Sequence, residues 1–236
     1  WHKSVGGYHA AKLRRYQEMI EEHISGEMSA LFSGVSEAEG DLEKLNPLVF
    51  PVLNMLNTRY FIFPLQGGQT VPLENPFALG NAWFVNEVQY VANANEEIEA
   101  IHGLDPSQKA VVDKKFQSVV KPVESDSTAV IELVAYEPNY LKYEVDSEKG
   151  GTVVFSEIYY PGWQSTIDGK DTPHGRANYI LRAMNVPAGK HVVEFRFDPK
   201  SLHTTETIAY IALALLVLGF VAFVAIYFKA RMANKK

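Results

Sequence analysis

The sequence predicts an α+β chain: an N-terminal helix and a small α/β unit, then an antiparallel β-sandwich of jelly-roll or immunoglobulin-like kind, then one transmembrane helix. Three observations predict it. Residues 208–228, IAYIALALLVLGFVAFVAIYF, run for 21 residues without a charge. Six short runs separated by turn signals follow Thr128, with no helical period between them. Ahead of them, helix-like and strand-like runs alternate. With 236 residues, 47% hydrophobic and 21% charged, the composition is that of a folded protein rather than a disordered one.

Taken in order, the first element is a helix from Tyr8 to about Leu31. Leu13, Tyr16, Ile20, Ile24 and Leu31 fall near one face, with Glu18, Glu21 and Glu22 elsewhere. Ser33 to Lys44 is acidic and reads as exposed. A short helical turn over Leu53 to Leu56 and a strand over Arg59 to Phe63 follow, then a Gly-Gly turn at Gln66 to Gln69. Trp83 to Val91 reads as one strand, Asn95 to His102 as a short helix, and Lys109 to Val112 as a strand. Arg59 stands in an apolar run, so burial would require an ionic partner.

The six sandwich strands are Ala129 to Tyr136, Tyr140 to Val145, Thr152 to Ile158, Trp163 to Asp168, Tyr179 to Val186 and His191 to Phe197. Strand alternation puts Trp163, Ser165 and Ile167 on one face, which points Trp163 into the sandwich. Likewise Val193, Phe195 and Phe197 face inward. The expected parts are 1–45, 46–125, 126–201, the span 208–228 and a basic tail 229–236.

As a helix the uncharged run would extend about 31 Å, the thickness of a bilayer's hydrocarbon core. Tyr210 and Tyr227 lie near its ends, where interfacial aromatics belong. All 28 acidic residues and 18 of the 22 basic ones precede it, leaving four basic residues after it: formal charge −10 before and +4 after. The positive-inside rule then places the tail in the cytoplasm and the bulk of the chain outside the bacterial inner membrane. An acidic domain of this kind argues against nucleic acid as a partner. The chain begins at Trp1 with no signal pattern, so earlier membrane spans of the same protein, or a signal, are expected upstream.

Two groups of residues invite chemistry. Lys12, Arg14 and Arg15 cluster at the start of the first helix, after Gly6-Gly7. Basic residues oppose the helix dipole there, and approachable backbone N–H groups suit an anion or a lipid phosphate. The same side chains would serve equally as a solvated face paired with acids, for example Arg14 with Glu18 at i,i+4. The second group is Tyr159 and Tyr160 in YYPGWQSTIDGK, with His174 and Arg176 in the loop TPHGRANY. Rings and polar groups beside turns make a glycan-contact surface, or simply a packed rim and a solvated hairpin loop. No metal-binding motif, nucleophile elbow, P-loop or dinucleotide fingerprint occurs, so no metal and no cofactor are expected and no catalytic residue is singled out, while paired carboxylates stay open because their pairing in space is not legible in the sequence.

The segments SVGGYHAAKLRRYQ, LNMLNTRYFI, NPFALGNAWFVNEV and YYPGWQSTIDGK followed by ANYILRAMNVPAGKHVVEFRFDP resemble, in that order, the C-terminal region of the YfhO-like bacterial membrane proteins. The resemblance implies a large polytopic envelope protein related to GT-C glycosyltransferases. Such enzymes use a polyprenyl-phosphate sugar donor on the outer face of the membrane. The family's catalytic acid is expected in an early extracytoplasmic loop, outside this sequence. The implied role is accessory, positioning an acceptor or supporting the catalytic half. The implied partners are the bilayer, the upstream membrane part, and a lipid-linked sugar or envelope glycan. A single-pass anchored module that binds glycan or protein without catalysis is the other reading.

Overall fold

The structure, a computed structural model, describes residues 4–7, 12–64 and 66–233. They form two compact units: Trp1–Tyr160 with Gln164–Arg196, and Pro161–Trp163 with Phe197–Lys236. Tyr8 to Ala11, where the first helix is expected to begin, lie outside the described residues.

In the first unit, α1 (Arg14–Met19) passes through a π-helical segment, Ile20–Ile24, into α2 (Ser25–Glu37). The helix expected to end near Leu31 runs on to Glu37 instead. Met19, Ile24, Leu31 and Val35 are all buried, so the apolar stripe continues past the expected end. The next helix, α3 (Pro51–Met55), is buried throughout. Its N-terminus is closed by Glu27 of α2, whose carboxylate accepts from the N–H groups of Val52 (2.9 Å) and Leu53 (3.0 Å). Strands β1 (Tyr60–Pro64) and β2 (Thr70–Glu74) make a hairpin separate from the other sheets. Arg59 is exposed at its base, so no ionic partner is required.

The expected single strand over Trp83 to Val91 is two strands. β3 (Ala82–Val85) joins the sandwich, while β4 (Glu87–Val91) pairs elsewhere. The break falls at Asn86, where the N–H groups of Asn86 and Glu87 both donate to the carbonyl of Gln108 (2.9 and 3.0 Å). β4, helix α4 (Ala94–Glu99) and β5 (Lys109–Asp113) form a parallel βαβ unit.

Eight further strands complete the sandwich: β6 (Val130–Glu137), β7 (Tyr140–Ser147), β8 (Gly151–Ile158), β9 (Trp163–Ile167), β10 (Lys170–Asp171), β11 (Gly175–Ala177), β12 (Leu181–Val186) and β13 (Gly189–Phe197). The five-stranded sheet runs β10-β9-β13-β7-β6 and the four-stranded sheet β11-β12-β8-β3. Tyr143, Phe155 and Phe195 meet between them as edge-on rings, 4.9–6.1 Å apart. The four-stranded sheet is covered on its other face as well. There Trp83, Val154, Leu181 and Ala183 share a buried cluster with Ile101 and Val111 of the βαβ unit. That double cover is why β12 and most of β8 are buried on both faces rather than alternating.

The second unit is a turn and a helix. The Trp163 and Phe197 rings pack at 5.4 Å, and the Asp198 N–H donates to the Gly162 carbonyl (2.9 Å). Trp163 does share a face with buried Ser165 and Ile167, as alternation requires, but it is only half-buried. It closes against Phe197 at the end of the strand, not in the ring cluster between the sheets. Gly162 has φ 104°, and a Cβ there would lie 2.9 Å from the Pro199 Cβ. From Lys200 the chain is one helix, α5 (Lys200–Ala233), whose apolar window is wholly exposed. Among the described residues it is the one helix long and apolar enough to cross a membrane.

Candidate functional site

One residue from each of the two groups singled out from the sequence, Arg15 and Arg176, meets a carboxylate that belonged to neither. It is Glu97, in the first turn of α4 and with none of its side chain exposed. A local device starts that helix. The Asn93 side chain accepts from the N–H groups of Asn95 and Glu96, and Glu96 reaches back to the N–H of Ala92 (2.8 Å). The resulting helix turns Glu97 inward, one turn before buried Ile101.

Arg176, on β11, binds Glu97 with two N–H groups, Nη2 to Oε2 at 2.7 Å and Nε to Oε1 at 3.4 Å. It also stands 3.6 Å from Asp113 at the end of β5. Arg15, on α1, donates to Glu97 Oε2 at 3.2 Å and to the Tyr179 carbonyl at 3.4 Å, with its guanidinium 4.3 Å over the Tyr179 ring. The Tyr179 hydroxyl donates to Glu18, which also receives Arg14 (2.8 Å). Burial and that carboxylate push the Tyr179 hydroxyl up to about 12. Two guanidinium groups and two carboxylates thus balance one another where α1, α4, β5 and β11 converge.

The turn that carries Tyr179 is held by its neighbour. Asn178, at φ 48° and fully buried, accepts the Val111 N–H on its side chain (2.9 Å) and donates its own N–H to the Val111 carbonyl (2.8 Å). It pairs with β5 as a strand residue would, and so fixes Arg176 and Tyr179 on either side of it.

The remaining candidates are distributed as follows. Lys12 is exposed, and the Arg14 side chain is 91% exposed while paired with Glu18. His174 sits between the rings of Tyr159 (5.7 Å) and Phe195 (5.2 Å), its Nδ1 2.8 Å from the Ser165 hydroxyl. Burial pulls it down to about 4, so the ring is neutral at physiological pH. Tyr159 is half-buried beside Phe116, and Tyr160 is exposed. The structure therefore joins Arg15 with Arg176, groups His174 with Tyr159, and leaves Lys12, Arg14 and Tyr160 at the surface.

Sequence reasoning missed Glu97. Its signal is a carboxylate on the apolar stripe of a short helix, at i+3 from Ala94 and i−4 from Ile101. A second feature went unread, an open polar cleft of about 430 Å³ lined by Glu87, His102, Asp105 and Lys109 among others. Its walls are tied internally, Lys109 to Glu87 at 3.0 Å and Asp105 to the Ser107 hydroxyl at 2.6 Å.

No curated protein and no solved structure matches the chain. Residues 105–209 match the family model of the bacterial membrane protein YfhO, so the chain carries a YfhO-like region that runs from the approach to β5, through the sandwich, into the first turns of α5.

Proposed function

We propose that this chain is the extracytoplasmic domain and closing membrane helix of a polytopic envelope protein, serving a glycosyltransferase-like partner region as an accessory that positions acceptor or donor. The observation that carries the reading is the matched stretch itself, which joins sandwich strands to the start of an exposed apolar helix. The charge asymmetry, −10 before the span and +4 after it, supports a cytoplasmic tail. Lys12 and Arg14, both exposed, are the residues offered to a lipid-linked phosphate. Tyr160, with Tyr159 behind it, is the surface offered to a glycan.

The chain has no cysteine, so single introduced cysteines report topology without background. In intact cells an impermeant maleimide should label Asn139→Cys and spare Lys229→Cys. The reverse pattern would sink the orientation. For the ligand, the full chain in nanodiscs is titrated with polyprenyl phosphate and with envelope polysaccharides while tryptophan emission is followed. Lys12→Glu with Arg14→Glu should weaken the phosphate response, and Tyr160→Ala the glycan response. Binding indifferent to all three changes would overturn the site assignment.

A further inference from the structure

We propose that the β1–β2 hairpin is a second membrane contact, lying in the headgroup region of the bilayer that holds α5. From Tyr60 to Leu73 the chain has no charged residue for 14 positions, with Arg59 and Glu74 bracketing the run at the hairpin's base. The register pairs Tyr60 with Glu74, Ile62 with Pro72 and Pro64 with Thr70.

Alternation then gives the hairpin two apolar faces. Phe61 and Phe63 are buried inward, Phe61 against Phe50 (6.0 Å) and Phe63 against Phe32 (4.7 Å). The outward face carries Tyr60, Ile62 and Pro64 opposite Glu74, Pro72 and Thr70, and Tyr60 and Ile62 are 57% and 59% exposed. A water-facing hairpin of an otherwise acidic chain has its polar residues on that side. Here the one charge on the outward side, Glu74, stands at the base, and beyond it come tyrosine, isoleucine, two prolines and one threonine, closed by a turn with Gly67 and Gly68 at φ 81° and 79°.

The occupant is a lipid surface, on three grounds. The chain carries its own anchor, so a bilayer is held at high effective concentration throughout its life. The charges stand at the base and the uncharged residues toward the tip, the order an interface requires, with Tyr60 the residue type enriched there. Among the described residues the hairpin also pairs with no other strand. Its open-edge N–H and C=O groups need water or headgroup partners, which confines it to the interface and forbids deeper insertion.

The inference rests on α5 residing in a bilayer, and one experiment separates the two. Single cysteines at Ile62, Asn139 and Leu216 are labelled with an environment-sensitive fluorophore. Each full chain is reconstituted in nanodiscs of phosphatidylcholine with a quarter phosphatidylglycerol. Nitroxides are then supplied either on the lipid headgroup, deep on the acyl chain, or in water. The expected result is that the Ile62 label is quenched by the headgroup nitroxide, loses quenching by the aqueous one, and is blue-shifted relative to Asn139. Leu216 should be quenched by the deep nitroxide. If Leu216 is quenched but Ile62 behaves as Asn139 does, the hairpin inference falls and the anchor stands. It falls equally if Ile62 is protected from every nitroxide, since another protein surface would then cover it. If Leu216 meets no lipid quencher, the anchor reading fails and carries the hairpin with it.

Discussion

Replacing Arg176 by Met should be among the most destabilising single changes in this chain. Glu97 has no exposed surface, and Arg176, only 6% exposed, supplies two of its three guanidinium contacts. The remaining partner, Arg15, is 31% exposed and holds Glu97 at 3.2 Å. Removing Arg176 therefore strands a buried carboxylate, and breaking such a pair costs about 3–5 kcal/mol. Arg15→Met should cost about 1–2 kcal/mol, because its pair is partly screened and its cation–π contact with Tyr179 is modest. Arg176→Met combined with Glu97→Met removes both buried charges and should be more stable than Arg176→Met alone. The assay is urea unfolding of the full chain in detergent, followed by the emission of buried Trp83, whose indole N–H donates to the Pro106 carbonyl at 2.7 Å. An Arg176→Met variant within about 0.5 kcal/mol of the parent would refute the clamp. So would a double variant that loses the sum of both single effects.

Three further outcomes can be checked in the same way. Glu27 is raised by burial from 4.5 to about 7, so the unfolded chain releases its proton first as pH rises and stability falls between those values, by up to about 3 kcal/mol. Glu27→Gln should abolish that decline, and an unchanged pH profile would sink the assignment. His174 is lowered by burial from 6.5 to about 4, so the unfolded chain takes up a proton first as pH falls, and stability present above 6.5 is lost toward 4, again by up to about 3 kcal/mol. The two slopes oppose each other where they overlap, so His174→Gln should steepen the fall with pH that Glu27 imposes; parallel curves for variant and parent would count against it. Gly162→Ala forces a Cβ onto Pro199 at φ 104° and should cost about 1–3 kcal/mol locally. The readout is faster tryptic cleavage after Lys200, and an unchanged digestion rate would remove the constraint.

Much of this architecture was legible because it rests on local pattern. The sandwich strands fall within a few residues of their expected bounds, since each is a short run between turn residues such as Pro138-Asn139 and Asp168-Gly169. α5 was plain because nothing but length and composition defines it. The errors fall where tertiary partners decide. Nothing local says that Asn86 ends one strand and starts another. The switch is imposed by the Gln108 carbonyl, which takes both N–H groups at the break. Nor does local pattern end a helix at Leu31 when Val35 finds burial one turn later. Trp163 was placed on the correct face but at the wrong depth, because alternation gives side and not distance along the sandwich.

The candidate residues were legible only as types, because the partners of their charges were invisible. Arg15 and Arg176 each carried two readings in the sequence, a ligand contact or a solvated side chain, and neither reading held their actual partner. Their partner lies 82 residues from one and 79 from the other, on a helix of only six residues. Arg14, whose acid stands at i+4, was by contrast paired in the sequence and is paired in the structure. A cation whose anion is local can thus be assigned from sequence, and one whose anion is distant cannot. Glu97 could have been approached from the other side, since a carboxylate on an apolar helical stripe must find a cation or give up its charge. That demand narrows the ligand question as well. With Arg15 and Arg176 committed to Glu97, Lys12 and Arg14 are the members of the basic group left at the surface, and Tyr160 the exposed member of the aromatic one.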